Sequence, residues 1–310
     1  VRGRTRISST NELDTNGSVS AGRKDDNGLH IIRNGAKGDF MEYFLDRVTL
    51  ITGGASGIGR LMAHKIAASG SHVVLWDIDD ENLARVAKEI SEAGHRASVW
   101  RCDVSDREMV YATAKKVRED VGEVNILVNN AGVVSGEQFL GCTDQQLRRT
   151  MEVNALAHFW TVKAFLPDMI ESNRGHIVTI ASAGGVVGSA KLVDYSTSKF
   201  AVFGFDEALR AELKQQELNI HTTVVCPYFI KGELFAGVKS RFSFLLPILD
   251  PEAVAERTVN AIARKKRRLI MPPLVYSTWL LRLLPVDVFD WVATLLGINN
   301  AMDNFRGRQT

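Results

Sequence analysis

VTLITGGASGIG, Val48 to Gly59, is the stretch on which the fold turns. A β-branched, apolar run ends at Thr52, glycine-rich sequence follows, and a segment of helical period, Arg60–Ser69, begins at once. Glycine permits a tight turn and lets backbone approach a ligand closely, and the first-turn amides of a helix are free to meet an anion. A strand, a glycine turn and a helix in that order suit a dinucleotide pyrophosphate, held here by Thr52, Gly53, Ser56, Gly57, Ile58 and Gly59. The spacing Gly-x-x-x-Gly-x-Gly departs from the commoner Gly-x-Gly-x-x-Gly, so for the glycines alone a plain structural turn is the competing reading.

Working outward, short β-rich runs alternate with helix-period segments. The strands expected are Val48–Thr52, Val73–Asp77, Ser98–Cys102, Ile126–Asn129, Gly175–Ala181, His221–Cys226 and Leu269–Met271. Runs such as HVVLW, NILVN and HIVTI are apolar almost throughout, as strands buried on both faces must be. Between them lie Asp80–Ala93, Asp106–Val121, Asp144–Ser172, Tyr195–Glu217 and Pro251–Lys265, several opened by an Asp or Pro that suits a first turn. The alternation implies an α/β fold, a doubly wound parallel sheet of Rossmann type in a single domain. Residues 41–272 are assigned to that domain. Residues 1–40 lack apolar periodicity and are expected to be disordered, with Met41 an alternative start; residues 273–310 form an apolar helical tail.

Composition narrows the class. Thirty-eight Lys and Arg against thirty-six Asp and Glu leave a net charge of +2, too balanced for an electrostatic nucleic-acid binder. Cys102, Cys142 and Cys226 stand far apart without a CxxC pair, which argues against disulfides and zinc and suits a reducing, cytoplasmic compartment. No metal is expected. No stretch approaches the roughly 20 apolar residues of a spanning helix.

Asp77 ends the second strand run, eighteen residues after Gly59, near the offset at which a carboxylate accepts hydrogen bonds from an adenosine ribose. A 2′-phosphate would meet it as a like charge, and neither Ser56 nor Ile78 supplies a compensating cation, so NAD is favoured over NADP. The alternative is that Asp77 caps the next helix.

Together these motifs resemble the short-chain dehydrogenase/reductase family over roughly residues 45 to 272. TGGASGIG looks like its cofactor turn, Asp103-Val104 like its adenine-contacting pair, and Asn129-Asn130-Ala131-Gly132 like its NNAG motif. Asn154, Ser182 and Tyr195-x-x-x-Lys199 match its catalytic tetrad in order and spacing. VLWDID, GEVNILVNNAGVVSG, AHFWTVKAFLP, GHIVTIAS and TTVVCPY further resemble the retinol dehydrogenase and 17β-hydroxysteroid dehydrogenase branch. The resemblance implies that Lys199 also bonds the nicotinamide ribose, that Asn154 holds a relay water, and that Pro227 and Ile230 lie against the nicotinamide. It also implies a homo-oligomer paired through the two long helices. Gly232 departs from the pattern, standing where the family has a Thr that bonds the carboxamide.

The chemistry also follows from the residues. Tyr195 and Lys199, one helical turn apart, share a face; a nearby ammonium favours the phenolate and is expected to lower the phenol from its usual ~10. Tyr195 can then act as base toward an alcohol or acid toward a ketone, with Ser182 orienting the substrate oxygen. Singly, each residue has a bland alternative: a surface Tyr–Lys pair, a turn serine, a solvated asparagine. Phe229 to Leu249, rich in phenylalanine and leucine, is expected to form a lid over an apolar substrate such as a retinoid, steroid or lipid. The reading is thus an NAD-dependent oxidoreductase of apolar alcohols; a non-catalytic dinucleotide sensor or a reductase of small ketones is the alternative. Residues 274–297 suit a membrane interface or a partner subunit, with Arg264–Arg268 either near anionic lipid or simply solvated.

Overall fold

The computed structural model describes residues 42–307; the segment 1–40, expected to be disordered, lies outside them. β1 (Val48–Thr52), β2 (His72–Asp77), β3 (Ala97–Arg101), β4 (Ile126–Asn129), β5 (Gly175–Ile180), β6 (Ile220–Pro227) and β7 (Arg268–Met271) form one sheet in the order β3-β2-β1-β4-β5-β6-β7. Every adjacent pair is parallel, with Thr52 level with Trp76 and Ile51 with Val128. The α/β reading holds, with strand ends displaced by at most one residue.

Successive side chains of a strand face opposite sides, and here both sides are covered. Ile51, Leu75 and Val128 pack with Met62 and Ile66 of α1 (Gly57–Ala68), Val86 of α2 (Asp80–Glu92) and Val259 of α7 (Pro251–Ala263). Leu50, Val74 and Leu127 meet Val110 of α3 (Arg107–Asp120) and Phe165 of α5 (Ala157–Glu171) on the other face. This is why the strands read as unbroken apolar runs. Asp79, Asp106, Thr143 and Asp250 cap α2, α3, α4 (Asp144–Met151) and α7 through side-chain acceptors, matching the start signals in the sequence.

One element differs. Asp144–Ser172 is not a single helix: α4 passes into a π-helical turn, Glu152–Leu156, before α5 begins, and Pro167 interrupts α5's own ladder. Asn154 sits in that turn. Its Oδ1 accepts from the Val133 amide at 2.8 Å, while Nδ2 donates to the Val133 carbonyl at 2.8 Å and to Ser198 Oγ at 3.1 Å. These long-range bonds fix a local widening that helix periodicity does not encode.

At the amino end of the interior strand β5, His176 is fully buried. Thr223 Oγ1 donates to the Lys266 carbonyl at 2.6 Å and therefore accepts from His176 Nε2 at 2.8 Å, which leaves Nδ1 to accept from the Tyr43 hydroxyl at 2.8 Å. The ring is neutral in that chain. Burial pushes both His176 and the buried His158 down to about 3, helped by His221, Arg47 and Lys265 around the first and by Lys199 near the second.

A histidine depressed on folding stabilises fully above its unfolded pKa and loses that contribution as pH falls toward the folded value. Acidification from about pH 7 to about pH 5 should therefore cost about 2 kcal/mol of unfolding free energy per histidine. Denaturant titrations of the parent and of His158→Gln should show the variant's pH slope shallower by about 1.4 kcal/mol per unit below about pH 6. Equal slopes would contradict the assignment.

Candidate active site

β1 and β4 are neighbours, yet β1 leads to α1 on one face and β4 leads toward α5 on the other. Their carboxyl ends flank a crevice, the place where open α/β sheets bind ligands. It is a cleft of about 740 Å³. Of the residues singled out in the sequence, Gly53, Ser56, Gly57, Ile58, Gly59, Asp77, Asp103, Val104, Asn130, Ala131, Gly132, Ser182, Tyr195, Lys199, Pro227 and Ile230 line it. Thr52 and Asn154 lie behind the wall as supports.

The glycine turn is fixed by contact. A Cβ on Gly59 would fall 2.1 Å from the Gly53 carbonyl oxygen, and Gly53 itself has φ +64°. Asn130 Nδ2 donates to the carbonyls of Thr52 and Gly53 at 2.9 and 3.0 Å, while the amides of Asn130 and Ala131 donate to Thr52 Oγ1 at 3.0 and 3.1 Å. Thr52 and Asn130 thus clamp the turn after β1 to the loop after β4. Ser56 precedes α1 without capping it, unlike the Asp and Thr caps of α2, α3, α4 and α7, so first-turn amides face the cleft region unsatisfied by a side chain. That cradle, with open space where Gly57 would carry a Cβ, fits a dinucleotide pyrophosphate.

Asp77 Oδ2 accepts from the Ala55 amide at 3.1 Å and Oδ1 from Ile78 at 2.8 Å. The capping alternative falls to Asp79, whose side chain accepts from the Asn82 amide at 3.0 Å. Burial disfavours the Asp103 carboxylate, but hydrogen bonds from Ser105 and the charge of Arg149, 3.7 Å away, outweigh it and hold the carboxyl below its usual range. Arg149 joins the cleft wall from α4 with no motif to mark it. Arg60 and Arg85 line it too; Arg60 is engaged by Glu89 at 2.9 Å, while no ion pair is found for Arg85 among the described residues.

Ser182 follows β5 and opens a 3₁₀ turn, Ala183–Gly185, its Oγ accepting from the Gly184 amide at 3.0 Å. Tyr195 and Lys199 project from α6 (Val193–Gln215), both buried, with Lys199 Nζ 5.7 Å from the centre of the Tyr195 ring and donating to the Ile180 carbonyl at 2.9 Å. Phe235 meets the Tyr195 ring edge-on at 5.6 Å. The expected lowering of the phenol does not appear in this form. Burial raises Tyr195 to about 12, only partly offset by its hydrogen bond with Ser182, because desolvation disfavours the charged phenolate. Burial also lowers Lys199 to about 8. Gly232 lines the cleft in extended backbone, with open space at its missing Cβ.

The sequence profile of the short chain dehydrogenase family matches residues 47–241. Human epidermal retinol dehydrogenase 2 is 45% identical over 83% of this chain and 84% of its own length. A short-chain dehydrogenase/reductase from Burkholderia phymatum, solved in complex with NAD, superposes with a TM-score of 0.70 at 27% identity, covering 86% of this chain and 99% of that one. A metagenomic short-chain oxidoreductase in complex with NADP gives a TM-score of 0.63 at 28% identity over 74% of this chain and 98% of that one.

A lysine whose folded pKa lies below its unfolded one costs stability at every pH below both values, and the cost fades as pH rises through them. With Lys199 at about 8, the burden near neutral pH is about 3 kcal/mol. Lys199→Met should therefore unfold at higher denaturant than the parent at about pH 7, and the difference should shrink toward about pH 10. A destabilised variant would contradict the balance of burial and charge described here.

Proposed function

Because the chain belongs to the short chain dehydrogenase family, an oxidoreductase family whose solved neighbours hold nicotinamide cofactors, we propose that it interconverts an apolar alcohol and its carbonyl by hydride transfer, with NAD as carrier and Tyr195 as acid–base group. The observation that carries this reading is the shared wall: Ser182, Tyr195 and Lys199 line the same cleft as the glycine turn. A bound nicotinamide supplies the hydride acceptor in one direction and the donor in the other. Ser182 donates to the substrate oxygen, and Tyr195 Oη gives that oxygen a proton during reduction or takes one during oxidation. Its high pKa in the free protein suits the acid role; the base role draws on the charge of Lys199, which persists below about pH 8. Asn154 keeps one Oδ1 lone pair beyond its bond to Val133, enough for a relay water beside Lys199.

Asp77 is read as the ribose-binding carboxylate, which favours NAD, while Arg85, a cleft-lining cation with no ion pair found among the described residues, is the feature that would support NADP. Ile230 and Pro227 lie where they can pack on the nicotinamide, and Gly232 withholds the usual hydroxyl. The branch relatives and the apolar wall of Phe229, Leu234 and Phe235 favour a retinoid, steroid or other lipid-like alcohol.

Residues 41–272 are taken as the catalytic domain and 273–310 as a tail on it. No helix among the described residues is long and apolar enough to cross a membrane. α8 (Ser277–Leu281), α9 (Val286–Leu295) and the turn between them expose Leu280, Leu283 (81%), Val286 and Trp291 (64%), a face suited to resting in the interface of a membrane on its cytoplasmic side. Phe159 of α5 and Phe200 of α6 are also exposed and suit a homo-oligomer contact.

Tyr195→Phe keeps the ring but loses the hydroxyl; turnover should fall at least about 100-fold with NADH binding retained. Unchanged turnover would reject the mechanism. Asp77→Ser removes the charge facing a 2′-phosphate, so the preference for NAD over NADP in kcat/KM should narrow by about tenfold or more. A parent enzyme that already prefers NADP would overturn that assignment. Leu283→Ser with Trp291→Ser should reduce co-sedimentation with liposomes while leaving kcat toward a soluble alcohol unchanged; equal sedimentation would remove the interfacial reading.

A further inference from the structure

A second cavity, about 40 Å³, lies beneath the C-terminal helices. Ala183, Val187, Tyr228 and Ile298 line both it and the reaction cleft, so the two spaces share a partition. Ala183 directly follows Ser182, which places the partition one residue from the group read as holding the substrate oxygen. The far wall comes from α8 and α9 and is apolar except for Ser277 and Thr278.

We propose that this cavity receives the distal end of the substrate's hydrocarbon chain, so that α8 and α9 set the length of alcohol the enzyme accepts. The proposal rests on the reading of the cleft as an alcohol site. Three observations favour a substrate chain as the occupant. First, the cavity lies directly against the cleft, with Ala183, Val187, Tyr228 and Ile298 lining both spaces. Second, a void with so few polar partners holds apolar groups in preference to water, and its size admits about three carbon-sized groups. Third, the wall is braced. Arg282 donates to the Val186 carbonyl at 2.8 Å and lies over the rings of Phe200 and Phe289, and Ser189 Oγ donates to the Ile298 carbonyl at 2.9 Å. These contacts tie α8, α9 and the segment after them to the loop that follows Ser182. Ala293, set among Phe289, Val292 and Leu296, is the small residue that leaves the space open.

The test is binding, independent of turnover. Dissociation constants for straight-chain secondary alcohols from 2-hexanol to 2-tetradecanol are measured by calorimetry on the full chain with reduced dinucleotide present. In the parent, affinity should rise about fourfold per methylene and then level off. Ala293→Leu adds three carbons, about the capacity of the cavity. It should leave the short alcohols unchanged and bring the plateau about three methylenes earlier. Leu281→Ala, which enlarges the same space, should move the plateau later, so the test survives if either variant fails to fold. Unmoved plateaus, or a uniform loss at every length, would overturn the subsite while leaving the alcohol reading intact. A parent that binds none of the series would overturn both.

Discussion

The site depends on one topological constraint: β1 and β4 lie side by side while their continuations go to opposite faces of the sheet. Adjacent parallel strands that part in this way leave a crevice no side chain of either strand can close. The clamp of Thr52 and Asn130 holds its two lips in register, and the contact of Gly59 with Gly53 lets α1 start against that clamp. Any side chain at Gly59 would push α1 away from the lip. The glycine turn and the wall that carries Ser182, Tyr195 and Lys199 are therefore one construction.

Burial then sets the chemistry. Tyr195 and Lys199 sit together on α6, out of water, where each is driven toward its neutral form: the phenol to about 12 and the ammonium to about 8. Near neutral pH only the Lys199 shift costs stability, since the phenol is neutral in the folded and the unfolded chain alike. The last described residues take part in the enclosure. Ala301 and Met302 are buried with Tyr195, Val238 and Leu246 in one apolar cluster, and the Ala301 carbonyl accepts from the Lys239 amide at 3.2 Å. Ile298, more than a hundred positions from Tyr195, lines the cleft itself.

Much of this is legible in the sequence because it is local. The glycine turn, the apolar runs of β1, β4 and β5, and the helical spacing of Tyr195 and Lys199 each declare themselves within a short window. What the sequence does not show is long-range or environmental. The π-helical turn at Asn154 arises from bonds to Val133 and Ser198, and Arg149 reaches the wall only because α4 folds back over Asp103. The direction of the Tyr195 shift does not follow from spacing, since adjacency of a cation is visible in sequence and depth of burial is not. The apolar residues of 274–297 divide by the same logic: Phe289, Val292 and Ala293 face a cavity and Trp291 faces outward, a partition set by packing.

The central claim is that hydride passes between the carbinol carbon of an apolar alcohol and a nicotinamide held in this cleft. A long-chain secondary alcohol deuterated at that carbon, incubated with the protein and NAD, tests it in one step by mass spectrometry of the dinucleotide. The account requires one deuterium carried onto the nicotinamide ring for each carbonyl formed. Carbonyl formed with an unlabelled dinucleotide, or no carbonyl from any apolar alcohol, would contradict it.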